Sequence, residues 1–330
     1  MICCVIPAYR ARLTICGVVR RALDCVDIVI VVDDKCPDGS ADAVEAEFGS
    51  SSRVIVLRRD RNGGVGAAMK TGLAKGLELQ ATVIVKLDAD GQMDPAYIPS
   101  IVACFEADPS LAYLKGNRFV NSAALKSMPK IRLVGNAMLS IFVKFASGYW
   151  NLLDPTNGYT AFSGRHLELL DWQDFADSYF FEISVIGQLG LRQATIGEME
   201  MPASYGEEQS SLSIRRVLWE FPPKLLAMFW RRILLQYFLF DVNLGSLYLF
   251  FGLLLMIGGF AGGVFEWVQT HLSGEPRTTG SVMLVVLPAL IGVQLILNAL
   301  MYDVQFAPKT AREFGMRAKE LPRMILTERR

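Results

Sequence analysis

Two long apolar segments near the C-terminus are the feature that most constrains this chain. Leu244–Val268 carries no charge before Glu266, and Ser281–Tyr302 carries none at all. Each segment is long enough to cross a hydrocarbon core of about 30 Å at roughly 1.5 Å per helical residue. The pattern predicts a hairpin of two transmembrane helices within residues 244–302, at about 244–268 and 281–302. Four glycines of the first segment would suit close packing of the two helices against each other: Gly258, Gly259, Gly262 and Gly263.

The charges around these segments predict their orientation. Basic residues are frequent before the first segment and again in the tail, residues 303–330, whereas the connector contains one arginine, Arg277. The positive-inside rule then places both flanks in the cytosol and the connector on the other side. Residues 212–243 mix aromatic, leucine and arginine side chains, which is typical of helices in a membrane interface. Amphipathic helices packed on a soluble domain are the alternative for this stretch.

Strand-like and helix-like patterns alternate over the first 120 residues, and residues 1–211 are predicted to form one domain. Because the N-terminus has no signal-peptide pattern, we expect this domain to remain in the cytosol. The predicted strands are Ile2–Pro7, Ile28–Asp33, Arg53–Leu57, Thr82–Leu87 and Leu111–Lys115. The predicted helices lie near residues 12–24, 40–48, 65–79 and 95–107. This alternation indicates an α/β fold with a mostly parallel sheet. Such sheets bind their ligands at the carboxyl ends of the strands.

Charge and cysteine usage argue against two classes of protein. The 33 basic residues balance 33 acidic residues, so we expect no nucleic-acid partner. All six cysteines lie in the first third of the chain, without a CxxC pair or a histidine nearby. They are therefore interpreted as reduced thiols of a cytosolic domain rather than as zinc ligands.

Acidic residues follow two of the predicted strands. Asp33 and Asp34 end the second strand, and Asp88 and Asp90 end the fourth within KLDADGQMDP. In an extended segment, side chains two residues apart point the same way, so Asp88 and Asp90 should converge at the ligand edge. With Gln92 as a further oxygen ligand, the pair suits Mg²⁺ or Mn²⁺ bridging a diphosphate.

The glycine-rich stretch RNGGVGAAMKTG, residues 61–72, nearly matches two phosphate-binding motifs. A Walker loop needs glycine where Met69 stands, and a dinucleotide fingerprint needs a small residue at the same position. We expect Gly63 and Gly64 to form a turn and Met69 to pack in the core. The loop would then flank a nucleotide site without gripping its phosphates.

A phosphatase is the first alternative for the acidic motif. Haloacid-dehalogenase-type phosphatases also carry DxDG after an apolar strand, with Thr or Val next. Here Gln92 follows Gly91, and the motif ends the fourth predicted strand rather than the first. The phosphatase hypothesis is therefore the weaker one.

Eight motifs together resemble one enzyme family. They are VIPAYRA, VVDDKCPDGS, RNGGVGAAMKTG, KLDADGQMDP, GNRF, DPTNGYTAF, FFEISVIGQLG and MPASYGEEQSSL. In this order and at these intervals the sequence resembles family 2 glycosyltransferases with the GT-A fold. It is most similar to the polyprenyl-phosphate type, which includes dolichol-phosphate mannose synthases and GtrB-type bactoprenol glycosyltransferases. The resemblance covers roughly residues 2–250, and the two-span tail also resembles the GtrB type.

The resemblance implies a role for each matching residue. Those that would bind the nucleotide are Pro7, Ala8, Tyr9, Asp33, Asp34, Asp60, Asp88, Ala89 and Asp90. The metal ligands would be Asp88, Asp90 and Gln92. The residues that would meet the acceptor phosphate are Arg118, Arg132 and Asn136. The family usually has Asn-Glu after the tyrosine, whereas this chain has Arg10-Ala11, so the resemblance does not imply the nucleotide contact expected of that glutamate.

The catalytic residues implied are Asp154, Asp90 and Arg118, with Glu182 and Lys70 as secondary site residues. Asp154 would act either as a base or as a positioning group. A lipid phosphate is largely dianionic at cytosolic pH, so cations matter more than a strong base. Residues 131–150 are apolar but interrupted by charge, which predicts an interfacial helix for the lipid chain, with core packing as the alternative.

The implied reaction moves a sugar from a nucleotide-sugar, with UDP favoured, to undecaprenyl or another polyprenyl phosphate, with inversion. It would take place at the cytosolic face of a bacterial inner membrane, with both termini cytosolic, and the resemblance favours a homotetramer. A processive polysaccharide synthase is disfavoured because no QxxRW motif is present. An inactive membrane-anchored scaffold is the non-enzymatic alternative, and the intact Asp88, Asp90 and Gln92 argue against it.

Overall fold

The computed structural model describes residues 1–118, 130–201 and 214–311. Within these residues the chain divides into two compact units. The first contains Met1–Met228 together with the described residues from Pro308 onward, and the second contains Phe229–Ala307. The first unit carries the sheet, and the second carries the two long apolar helices.

An eight-stranded sheet forms the core of the first unit. Its strands are β1 (Ile2–Ala8), β2 (Ile28–Asp33), β3 (Val54–Arg58), β4 (Val83–Lys86), β5 (Leu111–Asn117), β6 (Thr160–Ser163), β7 (Thr195–Glu200) and β8 (Thr310–Ala311). They lie in the order β3-β2-β1-β4-β6-β5-β7-β8. β6 runs antiparallel to both neighbours, and the other neighbouring pairs are parallel. β1, β2 and β4 are rich in buried valine and isoleucine, as expected for parallel strands covered on both faces.

Helices connect these strands and cover the sheet. They are α1 (Ile15–Leu23), α2 (Ser40–Phe48), α3 (Val65–Glu78), α4 (Ile98–Ala107), α5 (Lys130–Ser147), the short α6 (Gly164–Leu167) and α7 (Phe181–Leu191). A 3₁₀ turn, Pro95–Tyr97, precedes α4, and the Asp94 side chain caps it by accepting from the Ala96 amide at 3.1 Å. Proline at the first position of the turn needs no amide partner, which suits this start.

The predicted α/β architecture with a mostly parallel sheet is confirmed. The five predicted strands and four predicted helices are present, and β2 and α2 have the predicted bounds. β6, β7 and β8 are absent from the sequence-based prediction. β6 has four residues and β7 contains two glutamates, so neither shows the apolar run that marks a strand. Their positions depend on pairing with β4 and β5, which lie far away in the sequence.

The glycine-rich segment begins α3, and its helix packs closely on the sheet. Met69 is fully buried, in agreement with the predicted core position. A Cβ atom on Gly72 would lie 2.2 Å from Val5 Cγ1, and one on Gly76 would lie 2.7 Å from Ile84 Cδ1. Glycine is therefore required at both positions for α3 to approach β1 and β4 this closely.

The second unit is dominated by α9 (Leu244–Ser273) and α10 (Thr279–Gln305). Their most apolar 18-residue stretches have mean hydropathies of 2.0 and 2.3, and only 11% and 6% of these stretches is buried. A core helix of a soluble protein would be mostly buried, whereas these helices expose leucine, phenylalanine and valine along their length. Both are long and apolar enough to cross a membrane, as expected for a transmembrane hairpin.

Small residues bring α9 and α10 together. A Cβ atom on Gly259 would lie 2.7 Å from the Ala289 amide nitrogen, and one on Gly292 would lie 2.5 Å from the Met256 amide nitrogen. Of the four predicted glycines, Gly259 is therefore at the closest approach, whereas a Cβ on Gly258 would have no neighbour within 4 Å. Gly252, at the same seam as Gly292, was not predicted because composition alone does not define which helix face is in contact.

A buried ion pair fixes the C-terminal part of α10 to the segment that precedes α9. α8 (Ile214–Leu234) begins in the first unit and ends in the second, where a π-helical turn, Leu235–Leu239, follows it. Arg232 makes two hydrogen bonds to Asp303 of α10, at 2.6 and 3.0 Å, and the Tyr237 hydroxyl donates to the same carboxylate at 2.7 Å. The paired geometry compensates for the burial of both charges.

Candidate active site

Parallel strands end at one edge of the sheet and bring most of the predicted site residues there. The chain builds outward from β1 to β2 and β3 and then returns to place β4 on the other side of β1. Such a reversal leaves a crevice at the carboxyl ends of the strands, where α/β proteins bind ligands. The residues that follow β1, β2, β4 and β5 therefore define the candidate active site.

The loops after β1 and β2 are held together by Asp38. Its carboxylate accepts from the Arg12 amide at 3.1 Å and from the Ser40 hydroxyl at 2.6 Å. Burial raises the pKa of Asp38, but hydrogen bonds from Cys36, Ser40 and Arg12 outweigh it and lower the pKa to about 2. Asp38 is absent from the predicted site, and it fixes the loops that carry the predicted residues.

The residues predicted to bind the nucleotide at β1 and β2 lie in this crevice. Pro7 and Ala8 end β1, and the adjacent Tyr9 side chain is exposed. Asp33 is buried at the end of β2, where it accepts from the Cys36 amide at 3.1 Å. Burial raises the pKa of Asp33 above its usual range.

Asp34 binds the glycine-rich loop. Its carboxylate accepts from the Gly63 amide at 3.0 Å and the Gly64 amide at 2.7 Å, and Arg59 forms an ion pair with it. Two further amides of this segment, at Gly66 and Ala67, donate to the backbone oxygen of Asp177 at 2.8 and 3.1 Å. Four amides that a phosphate-binding loop would offer are thus bound by oxygens of the protein itself.

Two further predicted residues lie at the border of this region. Asp60 is exposed and lines a cavity of about 410 Å³ with Arg58, Arg59 and Arg61. The Lys70 ammonium lies 2.5 Å from Asp177 Oδ1 and donates to the Gln173 oxygen at 3.1 Å. Lys70 therefore fastens α3 to residues 173–177.

The acidic motif after β4 presents oxygen ligands at the crevice. Asp88 and Asp90 are partly exposed, and Ala89 between them is buried. Asp90 Oδ1 accepts from the Gln92 amide at 2.9 Å, across Gly91 with its positive φ of 78°. Asp88 Oδ1 lies 2.8 Å from Lys86 Nζ.

These side chains fit a divalent cation that shares its ligands with a substrate. Two carboxylates and an amide are hard oxygen donors, which Mg²⁺ and Mn²⁺ prefer. In the described part of the chain, no group of three or more His, Cys, Asp or Glu side chains could hold a metal ion. A cation held by Asp88, Asp90 and Gln92 would therefore complete its coordination with water or phosphate oxygens, as Mg²⁺ commonly does.

Arg118 and Asp154 form a bidentate pair at the end of β5. Arg118 Nε lies 2.8 Å and Nη2 lies 3.0 Å from the two carboxylate oxygens, and Asp154 is fully buried. Burial raises the pKa of Asp154, but the hydrogen bonds and charge of Arg118 outweigh it and hold the pKa below its usual range. Glu198 of β7 accepts from the Leu153 and Asp154 amides, each at 3.0 Å.

Two buried lysines lie beneath the turn that follows Asp154. Lys86 donates to the Gly158 oxygen at 3.2 Å and to Glu182 at 3.0 Å. Lys115 donates to the oxygens of Pro155 and Asn157 at 3.0 and 3.1 Å. Burial lowers the pKa of Lys115 to about 8, although nearby carboxylates oppose the shift.

The structure describes the side chains of only some of the residues predicted to meet the acceptor phosphate. Asn136 lies on α5 and is partly exposed, whereas the side chain of Arg132, on the same helix, lies outside the described side chains. α5 buries one face, with Val143 and Ala146, and exposes an apolar face. The exposed apolar residues are Val134, Met138, Ile141 and Phe142.

Sequence reasoning missed Lys86, Lys115 and Glu198. A signal was present for the lysines, since VIVKLD and LAYLKGN each place one lysine in a strand-like apolar run. A charge in such a position needs partners, but their identity depends on the fold. Glu198 gave no signal that distinguishes it from an exposed strand residue.

The fold and the site define a GT-A type α/β enzyme. The sequence signature of Glycosyl transferase family 2 matches residues 3–169, and the chain belongs to this glycosyltransferase family. It is 32% identical over 216 residues to a UDP-N-acetylglucosamine–dolichyl-phosphate N-acetylglucosaminyltransferase of Methanococcus voltae, covering 62% of this chain and 85% of the relative.

Two bacterial relatives show a similar degree of identity. A polyprenol monophosphomannose synthase of Mycolicibacterium smegmatis is 30% identical, with 63% of this chain and 78% of the relative covered. An undecaprenyl-phosphate mannosyltransferase of Micrococcus luteus is 29% identical, with 62% and 83% covered. The predicted resemblance to the polyprenyl-phosphate type of the family is confirmed.

Proposed function

We propose that this glycosyltransferase moves a sugar from a nucleotide-sugar to a polyprenyl phosphate at the cytosolic membrane face, with inversion. The observation that carries the proposal is the arrangement of two charged groups at neighbouring strand ends. Asp88 and Asp90 follow β4, and the fixed Arg118–Asp154 pair follows β5, with β6 between these strands. The carboxylates after β4 suit a diphosphate bound through a metal ion, and Arg118 after β5 suits a second phosphate. The names of the three relatives support a lipid phosphate as that second ligand.

The donor would bind at the ends of β1, β2 and β4. Tyr9 and Asp33 would contact its nucleoside, which their positions at the ends of β1 and β2 support, and Asp60 would border the same edge. Asp34 is saturated by Arg59 and the glycine-rich loop, so we assign it to positioning that loop. UDP is the favoured carrier, and the relatives named for mannose keep other sugars open.

Asp88, Asp90 and Gln92 would hold a divalent cation. When bound, Mg²⁺ or Mn²⁺ would neutralise charge that develops on the leaving diphosphate. Lys86 holds the Asp88 carboxylate in place, and the backbone amide of Gln92 holds that of Asp90. The chain's contribution is therefore a pair of fixed carboxylates at the mouth of the crevice.

Arg118 would bring the acceptor phosphate to the donor. A phosphate monoester is largely dianionic near neutral pH and needs cations to approach another anion. Arg118 is partly exposed and its fork is held by Asp154. Arg132 and Asn136 of α5 would complete the acceptor site.

Asp154 fits a positioning role better than that of a base. It is fully buried, its pKa is lowered, and both of its oxygens bind Arg118. A general base works best with a pKa near the working pH, which this carboxylate does not have. The dianionic acceptor requires no proton removal to act as nucleophile.

Membrane association follows from the two apolar helices, and the proposed orientation rests on the basic flanks. The exposed apolar face of α5 would lie against lipid, next to the headgroup phosphate. The proposed location is the inner membrane of a bacterium, with the first unit and both termini in the cytosol. A homo-oligomer, with a tetramer favoured, remains part of this proposal.

The proposal is tested with membranes that contain the overproduced protein. They are incubated with undecaprenyl phosphate and a panel of radiolabelled UDP- and GDP-sugars, with and without EDTA. We expect label to enter the lipid phase from one donor and EDTA to abolish this transfer. Release of free phosphate from simple phosphoesters without any labelled lipid would overturn the proposal in favour of a phosphatase.

A further inference from the structure

Lys86 and Lys115 are buried charges to which the proposed reaction assigns no direct contact. They lie on β4 and β5, and both pair in register with Thr160 of β6, so they occupy one level on one face of the sheet. Lys86 is 2% exposed and Lys115 is fully buried. Burial of an ammonium group is costly unless its partners compensate well.

The two ammonium groups hold the same backbone turn. Lys86 binds the oxygen of Gly158, and Lys115 binds the oxygens of Pro155 and Asn157, all within 3.2 Å. This turn directly follows Asp154, the partner of Arg118. The acceptor side of the site is therefore held in position from the interior of the sheet.

Lys86 also reaches the donor side. Its ammonium lies 2.8 Å from Asp88 Oδ1 and 3.0 Å from Glu182 Oε1. The Asp88 side chain is 34% exposed at the crevice, whereas that of Glu182 is 11% exposed. One ammonium group thus joins the first carboxylate of the acidic motif to the turn after Asp154.

We propose that Lys86 is a positioning residue that fixes the Asp88 carboxylate relative to the turn at residues 155–158. Because that turn follows Asp154, Lys86 sets the separation between the donor and acceptor sides of the site. The inference rests on the proposed function, which assigns these sides to two substrates. The competing explanation is that Lys86 only neutralises Glu182, a buried acid of α7.

A double substitution separates the two explanations. Lys86→Met alone leaves Glu182 buried without its cation and is expected to destabilise the protein. Lys86→Met/Glu182→Met replaces the pair by side chains of similar length, which is often neutral for stability. We expect the double variant to regain a thermal midpoint within roughly 3 °C of the wild type. Its transfer rate should remain roughly 10- to 100-fold lower, because small misplacements of catalytic groups have effects of this size.

A second readout does not depend on transfer. Addition of Mn²⁺ with UDP or GDP should raise the thermal midpoint of the wild type and of the control variant Lys75→Met. Lys75 is a partly exposed lysine paired with Glu78. The double variant should show a smaller increase, since its Asp88 is no longer held. If no donor supports transfer by the wild type, the proposed function fails, and the midpoint shifts still decide the role of Lys86.

Two results would overturn the inference. Recovery of both stability and transfer in the double variant would show that Lys86 only neutralises Glu182. If the double variant does not fold, Lys86→Arg replaces it, because arginine keeps a cation beside Glu182 but changes the geometry of the contacts with Asp88 and Gly158. We expect this variant to transfer roughly 10-fold more slowly than the wild type. Wild-type transfer by Lys86→Arg would show that only the positive charge beside Glu182 is needed.

Discussion

At the scale of single residues, the site consists of charges that fix one another. Asp154 orients the guanidinium of Arg118, Glu198 holds the backbone at Asp154, and Lys86 holds Asp88. Removal of one charged group leaves its partner buried without an opposite charge. This costs more free energy of folding than the lost contact itself. Changes in catalysis at this site therefore have to be read beside a stability measurement and a matched variant.

Asp90→Asn removes one proposed metal ligand charge and keeps the size of the side chain. We expect transfer to fall by roughly 100-fold or more, since a bound divalent cation contributes several kcal/mol to charge stabilisation. Asparagine can still accept from the Gln92 amide, so circular dichroism should show an unchanged fold. Asp171→Asn, at an exposed ion pair with Arg192, is the control. Full activity of Asp90→Asn would contradict the metal assignment.

Arg118→Lys keeps the charge and removes the planar fork that binds Asp154. A lysine cannot form the bidentate pair, so we expect a roughly 10- to 100-fold lower transfer efficiency. The KM for polyprenyl phosphate should rise more than the KM for the donor. Arg192→Lys, which alters an exposed pair, should leave both constants unchanged. An equal increase in both KM values would argue against an acceptor role.

At the scale of elements, the glycine-rich start of α3 is a packing device. Gly66 lies against residues 176–177, and the backbone oxygen of Asp177 accepts from the amides of Gly66 and Ala67. The same segment leads into α7, which carries Glu182. The loop that resembles a phosphate-binding motif therefore joins two elements of the fold, and Asp34 holds its turn.

Gly66→Ala is expected to destabilise the first unit. Its Cβ atom would lie 2.0 Å from the Ala176 oxygen, so residues 176–177 must move, at a cost of about 1–3 kcal/mol. Gly17→Ala is the matched control, because a Cβ on this helical glycine has no neighbour within 4 Å. It should stabilise α1 by about 0.5–1 kcal/mol. Denaturant unfolding of both variants measures the difference, and equal stability would contradict the close approach.

At the scale of the whole molecule, the two units impose different demands on the sequence. The first unit tolerates buried charge because strands, turns and α7 supply partners from distant parts of the chain. The second unit exposes apolar side chains along α9 and α10 and places Gly252, Gly259 and Gly292 at the seam between them. These opposite patterns are expected where one part is surrounded by water and the other by lipid.

The buried Lys115 should make the stability of the first unit depend on pH. The pKa of Lys115 is about 8 in the folded protein, whereas its ordinary value, which applies to the unfolded chain, is 10.5. Between pH 8 and pH 10.5 the unfolded chain therefore binds a proton that the folded chain does not. The contribution of Lys115 to the free energy of unfolding is lowest below pH 8 and rises as the pH increases towards 10.5. Relative to Lys115→Met, the wild type should gain about 1 kcal/mol between pH 7.5 and 9. A constant difference between the two unfolding free energies would contradict the lowered pKa.

Much of the fold could be predicted because its signals are local. β2 and α2 have the bounds that apolar runs and turn residues indicate, and Asp94 caps the helical turn that begins at Pro95 through a contact two residues away. β6 and β7 could not be predicted in the same way. Their short or charged sequences become strands only beside β4 and β5, and such pairing carries no local pattern.

The candidate site likewise has features that the local sequence predicts and features that depend on the fold. The sequence by itself determined that the acidic motif at Asp88 and Asp90 follows a strand and that two apolar helices follow the α/β part, because periodicity and charge are properties of neighbouring residues. Only the tertiary structure decided that Arg118 is held by Asp154, that the glycine-rich amides bind Asp34 and Asp177, and that Lys86 lies between Asp88 and the Gly158 oxygen. Each of these contacts joins residues that are remote along the chain, and a buried charge acquires its partners only when the strands and turns around it have assembled.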